Sequence, residues 1–366
     1  MKKRVGLIFG GKSAEHEVSL QSAKNVLEAM DKDKYDVTLI GIDKEGRWHL
    51  HDSSQFLLNA NDPKLIALNK TNEGVAFVPG EADKKLMKAN GMAALDQLDV
   101  IFPILHGTLG EDGSIQGMLR VANIPFVGSN VLGSAISMDK DVAKRLLKDA
   151  GLKVARSYTF TRATKGNISF AEIEKNLGLP LFIKPANQGS SVGVSKVESA
   201  EEFGEAVAEA FKYDHKILIE EAIQGREIEC SILGNEYPEA SIPGEIVATN
   251  DFYSYEAKYI DESGATLEIP AKLDDNQVKE IQDVAVKAFQ ALGCEGMARV
   301  DVFLTETNEI IINEINTIPG FTKISMYPKL WELSGIPYSE LIDRLIELAI
   351  ERQERDAGLE SSFETE

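Results

Sequence analysis

The stretch MARVDVFLTETNEIIINEINTIPG, residues 297–320, carries the strongest structural signal in this chain of 366 residues. Apolar residues alternate with other residues in two runs, 298–304 and 310–316, and the polar residues Thr305–Asn308 separate these runs. Alternation with a period of two predicts a β-strand, and a short polar connection between two such runs predicts a hairpin. We therefore expect two paired antiparallel strands in this stretch.

Four polar side chains of this hairpin are expected to converge. Side chains on a strand repeat every second residue on one face, so Arg299 and Asp301 share a face of the first strand. By the same rule, Glu314 and Asn316 share a face of the second strand. Pairing around the turn then brings together three oxygen-bearing side chains and one guanidinium. Oxygen ligands without sulfur or imidazole are typical of Mg²⁺ or Mn²⁺ sites.

The competing interpretation is a structural sheet with one solvated face, on which acidic and basic residues simply alternate. On a regular strand, Ile310 and Ile312 would lie on the same face as Glu314. That face would be apolar for half of its length, which is not expected of a solvated face. The pattern therefore favours a metal site over the structural alternative.

A glycine- and serine-rich loop follows an apolar strand in FIKPANQGSSVGVSKV, residues 182–197. Small residues allow backbone N–H groups to approach phosphate oxygens closely, and serine hydroxyls add donors. The loop is not a Walker A loop, because no GK[ST] ends it before a helix, and it lacks the dinucleotide fingerprint. A hairpin without a ligand explains the loop alone equally well, but Lys184 directly before it favours phosphate binding.

Three further loops carry candidate binding residues. GGKSAEHEVS at 10–19 follows the first strand, where open α/β sheets bind ligands, although Glu15 near a helix start is ordinarily only a favourable N-terminal charge. HGTLGEDGS at 106–114 follows another strand, and His106 is either a ligand contact or a satisfied loop histidine. NDFYSYEAKYIDESGA at 250–265 is polar and rich in tyrosine, which suits either a surface meander or a lid that excludes water.

The composition excludes several classes of protein. The chain has 39 basic and 59 acidic residues and a net charge of −20, so its surface repels phosphate backbones and nucleic-acid binding is not expected. No apolar stretch approaches the roughly 20 residues that a membrane helix needs, and the short apolar run after MKKR predicts a strand rather than a signal peptide. Two cysteines outside any CxxC pattern favour a cytoplasmic location. The pair His49 and His51 has no further cysteine or histidine nearby, so zinc is not expected.

The N-terminal part alternates strands with helices, a pattern that predicts a parallel α/β unit. Its strands are predicted at 5–9, 35–42, 100–105 and 125–127, its first helix at 18–29, and an irregular insertion at about 52–97. The later strands are predicted at 179–184, 216–220, 227–233, 298–304 and 310–316. The later helices are predicted at 140–150, 199–212, 274–292 and 338–354.

Seven sequence segments occur in a fixed order from residue 10 to about 326, and their combination is highly specific for one protein family. They are GGKSAEHEVS, HGTLGEDG, SMDK, FIKPANQGSSVGVSKV, YEAKY, ARVDVF and NEINTIPGFT. In this combination the chain resembles the D-alanine–D-alanine ligases of the ATP-grasp superfamily. The resemblance implies an α/β fold (α+β in the ATP-grasp part), with an N-terminal parallel α/β domain at 1–128. A two-subdomain ATP-grasp fold would follow, with a small subdomain at 129–220 and a C-terminal subdomain carrying the metal site and lid at 221–366.

The resemblance also implies which residues bind ATP and its metal ions. The residues that would contact the phosphates are Lys140, Lys184, Ser190 and Ser191. The residues that would form the adenine hinge and the ribose contact are Glu220, Glu221, Ala222 and Ile223, and Glu227. The residues that would hold two Mg²⁺ or Mn²⁺ ions are Asp301, Glu314 and Asn316.

The same resemblance assigns the amino-acid substrate contacts. Glu15 matches the carboxylate that receives the ammonium of the first D-alanine, and Ser190 would link it to Tyr259 of the lid. Arg299 and the Gly320 N–H match the groups that stabilise a tetrahedral intermediate. The remaining contacts would be His106 near the first D-alanine, and Lys258, Ser325 and Met326 around the carboxylate of the second.

The implied activity converts ATP and two D-alanines into D-alanyl-D-alanine, ADP and phosphate through an acyl phosphate, for peptidoglycan precursor synthesis. EAKY at 256–259 matches the dipeptide-forming branch, which favours an amine nucleophile over D-lactate. The alternatives are another ATP-grasp carboxylate–amine ligase, a D-alanine–D-lactate ligase, and a non-catalytic amino-acid-binding α/β protein, which would not need the predicted metal residues. The family is commonly dimeric, so we expect a cytoplasmic homodimer with no nucleic-acid or membrane partner.

Overall fold

The computed structural model of the chain describes residues 2–69, 71, 73–79, 86–88, 97–248 and 265–360. Its strands are β1 Lys3–Gly10, β2 Tyr35–Ile42, β3 Trp48–His51, β4 Leu57–Leu58, β5 Ala67–Leu68, β6 Val75–Phe77, β7 Leu86–Lys88, β8 Val100–Ile104, β9 Ser157–Thr161, β10 Leu181–Pro185, β11 Ser195–Val197, β12 Lys216–Glu221, β13 Arg226–Gly234, β14 Glu239–Ala240, β15 Gly244–Ala248, β16 Ala265–Glu268, β17 Gly296–Leu304 and β18 Ile310–Asn316. Its helices are α1 His16–Ala29, α2 Ser114–Val121, α3 Val131–Met138, α4 Lys140–Asp149, α5 Phe170–Leu177, α6 Ala200–Tyr213, α7 Asp275–Ala291, α8 Met326–Leu333 and α9 Tyr338–Ala357, with a 3₁₀ turn at Lys165–Asn167. The mixed α/β class predicted from the sequence is confirmed.

The N-terminal sheet has the strand order β3-β2-β1-β8. β1 pairs in parallel with β2 and β8, and β3 pairs antiparallel with β2 at the edge. Val5, Leu7 and Phe9 of β1 pack into one apolar core, whereas Ile8 packs into another on the opposite face. Burial on both faces is typical of a central parallel strand and explains the unbroken apolar run. The predicted parallel α/β unit is confirmed.

The rest of the chain forms two antiparallel sheets. The first has the order β11-β10-β12-β9 and lies within residues 157–221. The second has the order β16-β15-β13-β17-β18, with β14 beside β13, and begins at residue 226. The connection from β12 to β13 therefore joins the two sheets. The predicted domain boundaries after residues 128 and 220 stay predictions.

The last part of the chain returns to the N-terminal sheet. Side chains of α8, α9 and the segment before them join the same apolar core as the residues of β1 and β8. Phe321 packs edge-on against Phe102 of β8, with 6.0 Å between the ring centroids. Leu341 and Leu345 of α9 are buried in this core. The C-terminal residues thus cover one face of a sheet built from the first residues.

Several elements differ from the prediction. The structure contains α2, α3, α5, α8 and β9, which the periodicity did not indicate because most are short. The predicted strand at 125–127 is reduced to one parallel bridge between Phe126 and Ile101. The insertion at 52–97 contains the short pairs β4–β5 and β6–β7. The predicted lid at 250–265 lies outside the described residues up to residue 264.

The structure adds one observation on the helices and one on the cysteines. No helix in the described part of the chain combines the length and the apolar character that crossing a bilayer requires. Cys230 and Cys294 are both buried free thiols. Burial raises the pKa of the Cys230 thiol to about 12, so this thiol is held in its unreactive neutral form.

Candidate active site

The β17–β18 hairpin brings its four polar side chains together. Asp301 lies directly opposite Glu314, and Arg299 lies opposite Asn316. The Arg299 guanidinium donates from Nε and Nη2 to the two carboxylate oxygens of Asp301, each at 2.7 Å. The Asn316 amide nitrogen donates to Asp301 Oδ2 at 3.0 Å. Glu229 of the neighbouring β13 lies on the same row and pairs with Arg299 Nε at 3.0 Å.

A β-bulge decides which residues of β18 face this site. The pairing passes from Asp301–Glu314 to Val302–Ile312, so one residue of β18 is skipped. An extra residue reverses the facing of everything beyond it, because side chains alternate along a strand. Ile312 is therefore fully buried in the opposite core, and Ile310 packs against the same core. The expectation that Ile310 and Ile312 share the face of Glu314 is wrong.

The donor chemistry of this face fits a hard divalent cation. Asp301, Glu314 and Asn316 offer two carboxylates and one amide oxygen, the ligand types that Mg²⁺ and Mn²⁺ prefer. Among the described residues, no group of three or more histidine, cysteine, aspartate or glutamate side chains could hold a metal ion. The predicted set of three metal ligands therefore includes only two carboxylates and needs the Asn316 amide oxygen as its third member.

The predicted phosphate lysine Lys140 lies beside this face. Lys140, the first residue of α4, donates from Nζ to the Gln188 carbonyl at 2.7 Å. The same Nζ lies 3.4 Å from Glu314 Oε2. Asp139 caps α4 by accepting hydrogen bonds from the first-turn N–H groups, and this cap orients the lysine that follows it. Lys140 thus connects the glycine–serine loop to the predicted metal carboxylates.

Lys184 forms part of a buried charge triad. Its Nζ lies 2.6 Å from Glu220 Oε2, and Lys144 Nζ lies 3.1 Å from Glu220 Oε1. Burial lowers the pKa of Lys144, while its attraction to Glu220 acts in the opposite direction. Burial alone would raise the pKa of Glu220, but Lys184 and Lys144 together lower it. The sequence analysis missed Lys144, although its position one helical turn after Lys140 places both on the same side of α4.

The glycine–serine loop closes over Glu15. The Ser190 hydroxyl donates to Glu15 Oε1. Ser190 and Ser191 have φ of 51° and 60°, in the left-handed region that non-glycine residues rarely occupy. A Cβ on Gly189 would lie 2.9 Å from Glu15 Oε2, and one on Gly107 would lie 2.5 Å from it. Two loops from distant parts of the sequence therefore enclose one carboxylate, and strained backbone of this kind occurs at functional sites.

His106 and Glu111 sit in the other loop around Glu15. His106 Nδ1 donates to the Ile318 carbonyl, and the Ser22 hydroxyl donates to His106 Nε2, both at 3.0 Å. Burial lowers the pKa of His106 to about 4, so the ring is neutral. Burial and then the nearby Glu15 carboxylate raise the pKa of Glu111 to about 8. Both ring nitrogens of His106 are thus occupied by protein groups, and Glu111, in the GED of HGTLGEDG, was missed.

The predicted adenine hinge lies where β12 ends and β13 begins. Arg156 donates from Nε to Glu221 Oε2 at 2.7 Å. The Ala222 N–H donates to the Pro180 carbonyl at 3.2 Å. Glu227 lies on β13 opposite residue Phe303 of β17. The predicted hinge residues Glu220 to Glu227 therefore span the connection between the two antiparallel sheets.

The predicted contacts of the second substrate lie at the start of α8. Ser325 precedes this helix, and its Oγ accepts a hydrogen bond from the Thr322 N–H at 2.9 Å. A Cβ on Gly320 would lie 2.7 Å from Ser325 Oγ, so only glycine fits there without displacement. The Met326 side chain is buried against Leu330, which leaves its backbone at the helix N-terminus. Lys258 and Tyr259 lie outside the described residues.

Two family models together match most of this chain. The family model "D-ala D-ala ligase N-terminus" matches residues 4–129, and "D-ala D-ala ligase C-terminus" matches residues 146–347. The chain belongs to the D-alanine–D-alanine ligase family. It is 69% identical over 362 residues to the D-alanine–D-alanine ligase of Oceanobacillus iheyensis, covering 99% of both proteins. It is 62% identical to D-alanine–D-alanine ligase A of Escherichia coli, covering 99% of this chain and 100% of that protein.

Solved structures of the family share the fold. The D-alanine–D-alanine ligase of Coxiella burnetii superposes with a TM-score of 0.83 at 38% identity, covering 97% of this chain and 96% of that one. VanG D-Ala:D-Ser ligase of Enterococcus faecalis superposes with a TM-score of 0.84, also at 38% identity, covering 95% of this chain and 100% of that one. The ATP-grasp-type ligase fold expected from the sequence is confirmed.

Proposed function

We propose that this protein is an ATP-dependent D-alanine–D-alanine ligase that joins two D-alanines and releases ADP and phosphate. The observation that carries the proposal is the 3.4 Å approach of Lys140 Nζ to Glu314 Oε2. This approach links the glycine–serine loop, through the Gln188 carbonyl, to the acidic face of the hairpin. A polyphosphate chain and its cations need this combination of lysine, small-residue loop and oxygen ligands.

In the first half-reaction, a carboxylate oxygen of the first D-alanine attacks the γ-phosphorus of ATP, and ADP leaves. The product is an acyl phosphate, whose carbonyl is a far better electrophile than a carboxylate. Two anions must meet in this step, and Lys140 and Lys184 supply positive charge to the transferred phosphoryl group. Asp301, Glu314 and Asn316 would hold two Mg²⁺ or Mn²⁺ ions, which supply charge neutralisation on the phosphate oxygens when bound.

In the second half-reaction, the amine of the second D-alanine attacks the acyl carbonyl, and phosphate leaves. Negative charge develops on the tetrahedral oxygen, and preorganised donors stabilise such charge best. Arg299 supports this role because Asp301 and Glu229 hold its guanidinium in one orientation. The Gly320 N–H is the proposed second donor.

The remaining residues would bind and enclose the amino acids. Glu15 would pair with the ammonium of the first D-alanine, and its hydrogen bond from Ser190 supports a link to Tyr259 of the lid. Ser325, Met326 and Lys258 would receive the carboxylate of the second D-alanine. The backbone N–H groups at the start of α8 suit an anion, because a helix N-terminus carries partial positive charge.

We extend this proposal to the setting of the reaction. The dipeptide would supply peptidoglycan precursor synthesis, and the enzyme would act in the cytoplasm as a homodimer. Neither step involves nucleic acid or a membrane. ATP and D-alanine are the expected small-molecule partners.

A second candidate is a ligase that takes D-serine as the second substrate. The likeness to VanG D-Ala:D-Ser ligase favours it, at a TM-score of 0.84. The higher identity to proteins named D-alanine–D-alanine ligase, 69% and 62%, favours D-alanine. The two activities share the first half-reaction, so only the nucleophile separates them.

The test is identification of the product by mass spectrometry. Purified protein is incubated with ATP, Mg²⁺ and D-alanine, and in parallel with D-alanine plus D-serine, D-lactate or L-alanine. We expect D-alanyl-D-alanine, with one ADP and one phosphate for each dipeptide. A mixed product that dominates at equal concentrations of the two nucleophiles would reassign the second substrate. Absence of any ATP-dependent condensation product would reject the proposal.

A further inference from the structure

The segment 318–321, which carries Gly320, is anchored at its first residue by the N-terminal part of the chain. The Ile318 N–H donates to Glu111 Oε1 at 3.1 Å. The Ile318 carbonyl accepts from His106 Nδ1 at 3.0 Å. The other carboxyl oxygen of Glu111 accepts from the Gly107 N–H at 2.7 Å, which fixes the carboxyl group itself. Both backbone groups of Ile318 are therefore held by one loop.

The last residue of the segment is anchored by α1. The Phe321 N–H donates to Ser22 Oγ at 3.2 Å. The Phe321 carbonyl accepts from Asn25 Nδ2 at 3.1 Å and from the Tyr338 hydroxyl at 2.8 Å. All of these groups except the Tyr338 hydroxyl come from residues before 112, although the segment lies near the end of the chain.

A hydrogen bond joins the two anchors. Since His106 Nδ1 must donate to the Ile318 carbonyl, its Nε2 is the acceptor of the neutral ring. The Ser22 hydroxyl therefore donates to Nε2, at 3.0 Å, and accepts from the Phe321 N–H. Each donor in this series of hydrogen bonds meets one acceptor. The hydrogen bonds from Phe321 through Ser22 and His106 to Ile318 therefore all run in the same direction.

Only one N–H lies between the two anchored residues. Residue Pro319 has no backbone N–H, so Gly320 supplies the single donor between Ile318 and Phe321. We propose that Glu111, Ser22 and His106 are positioning residues that hold the Gly320 N–H in place for the second half-reaction. This inference rests on the proposed function, in which that N–H stabilises the tetrahedral oxygen.

The geometry required of such a donor explains why it is anchored twice. A preorganised donor must point to where the oxygen develops charge, and a misplacement of about 1 Å can cost about 100-fold in rate. Gly107, whose N–H donates to Glu111, lies against the Glu15 carboxylate, and Ser22 lies on α1, which begins directly after Glu15. Glu15, which would receive the first substrate, and the Gly320 N–H, which would act on its carbonyl, are therefore held by the same loop and the same helix.

The test uses the full-length variants Glu111→Ala and Ser22→Ala, with Asp112→Asn as the matched control. Asp112 belongs to the same loop, but it caps the N–H groups of Leu109 and Ser114 instead of contacting the segment. We expect Glu111→Ala and Ser22→Ala to lower kcat for dipeptide formation by about 10- to 100-fold. The KM for ATP and for D-alanine should stay within about threefold, because neither Glu111 nor Ser22 is assigned a contact with either substrate. Asp112→Asn should retain the parental kcat.

A rapid-mixing measurement separates positioning from general damage. We expect a burst of ADP at the parental rate, since acyl-phosphate formation does not use the Gly320 N–H, followed by slow dipeptide formation. An ADP burst slowed as much as the dipeptide would overturn the inference, as would a parental kcat in both variants.

Hydrogen–deuterium exchange provides a readout that does not depend on catalysis. In Glu111→Ala, the Phe321 amide keeps its own partner, Ser22, yet we expect its exchange to rise by about tenfold if the two anchors act as one unit. Unchanged exchange at Phe321 would mean that the two anchors are independent, and it would reject the proposal that they hold the Gly320 N–H as one unit. If the parental protein forms no dipeptide, the proposed function fails, while the exchange experiment still decides whether the segment is held in this way.

Discussion

At the scale of single residues, the cations of the site are already paired with carboxylates. Arg299 is held by Asp301 and Glu229, and Lys184 is held by Glu220. A buried charge without a partner is costly, so these pairs offset the cost of burial and orient the cations before a substrate arrives. Glu220 also forms an ion pair with Lys144, so its carboxylate remains paired if Lys184 turns towards a phosphate.

The first prediction concerns Glu314. Glu314→Gln keeps the shape of the side chain but removes a negative charge that balances a divalent cation. We expect kcat for dipeptide formation to fall by at least about 100-fold, since metal ions contribute several kcal/mol to such transition states. Steady-state kinetics and thermal unfolding measure activity and stability together. Glu309→Gln, at an exposed position directly before the same strand, is the control, and full activity of Glu314→Gln would contradict the metal assignment.

The second prediction concerns the pH dependence of stability at His106. Its pKa is about 4 in the folded protein, against 6.5 for an ordinary histidine. As the pH falls below 6.5, the unfolded chain takes up a proton that the folded chain refuses, so the free energy of unfolding decreases until about pH 4. The loss attributable to this group is about 3 kcal/mol.

Urea unfolding between pH 4 and pH 7 measures this effect. We expect His106→Gln to show a flatter pH dependence than the parental protein, although it is less stable at neutral pH because it loses the His106 hydrogen bonds. His215→Gln, which changes an exposed histidine, should leave the slope unchanged. An equally steep slope in His106→Gln would show that other groups cause the acid sensitivity.

At the scale of elements, local irregularities aim the polar side chains. The bulge in β18 lets Glu314 face the site while Ile312, two residues earlier, faces the core. The cap at Asp139 starts α4 so that Lys140 is its first residue. Asp139 also pairs with Lys216 of β12, which ties the start of this helix to the neighbouring sheet. A bulge or a helix cap involves only one or two residues, yet it decides where a functional side chain points.

The third prediction compares two helix caps. Asp139 caps α4, whereas Asp274 caps α7 in a capping box and lies at an exposed position. We expect Asp139→Ala and Asp274→Ala each to lower the free energy of unfolding by about 1 kcal/mol. Only Asp139→Ala should also raise the KM for ATP, because Lys140 follows it directly. Equal ATP kinetics in the two variants would contradict the orienting role of the Asp139 cap.

At the scale of the whole molecule, one apolar core joins the two ends of the chain. The residues of α8 and α9 pack against β1 and β8 of the N-terminal sheet. Arg352 of α9 reinforces this contact by donating to the Phe126 carbonyl at 2.6 Å and to the Gly128 carbonyl. Since the segment 318–321 lies at this junction, the packing that holds the chain ends together also locates the Gly320 N–H.

The fourth prediction tests this shared core. Leu345→Ala removes a buried side chain of α9 that is 1% exposed, so it should lower the free energy of unfolding by about 2–5 kcal/mol. Hydrogen exchange should accelerate in β1 and β8 as well as in α9. Leu333→Ala, at a side chain that is 55% exposed, is the control and should change stability little. Unchanged protection of β1 in Leu345→Ala would mean that the two ends unfold independently.

Much of the architecture follows from local patterns. The strands at 35–42 and 310–316 begin and end at the predicted residues, because alternation and the flanking polar turns are properties of short stretches. The convergence of Arg299, Asp301 and Glu314 likewise follows from strand periodicity and one hairpin. The short helices α2, α3 and α5 escaped prediction because eight residues give too few turns for a clear period.

By itself, the sequence determined the longer strands and helices, the oxygen-rich hairpin and the family, since each depends on patterns or motifs that are local in the chain. Only the tertiary structure decided that Glu111 and Ser22 bond to Ile318 and Phe321, across separations of 207 and 299 residues. It also decided the facing of Ile312 and the return of α9 to β1. Such contacts depend on how whole layers pack, and no local periodicity records which distant backbone groups then meet.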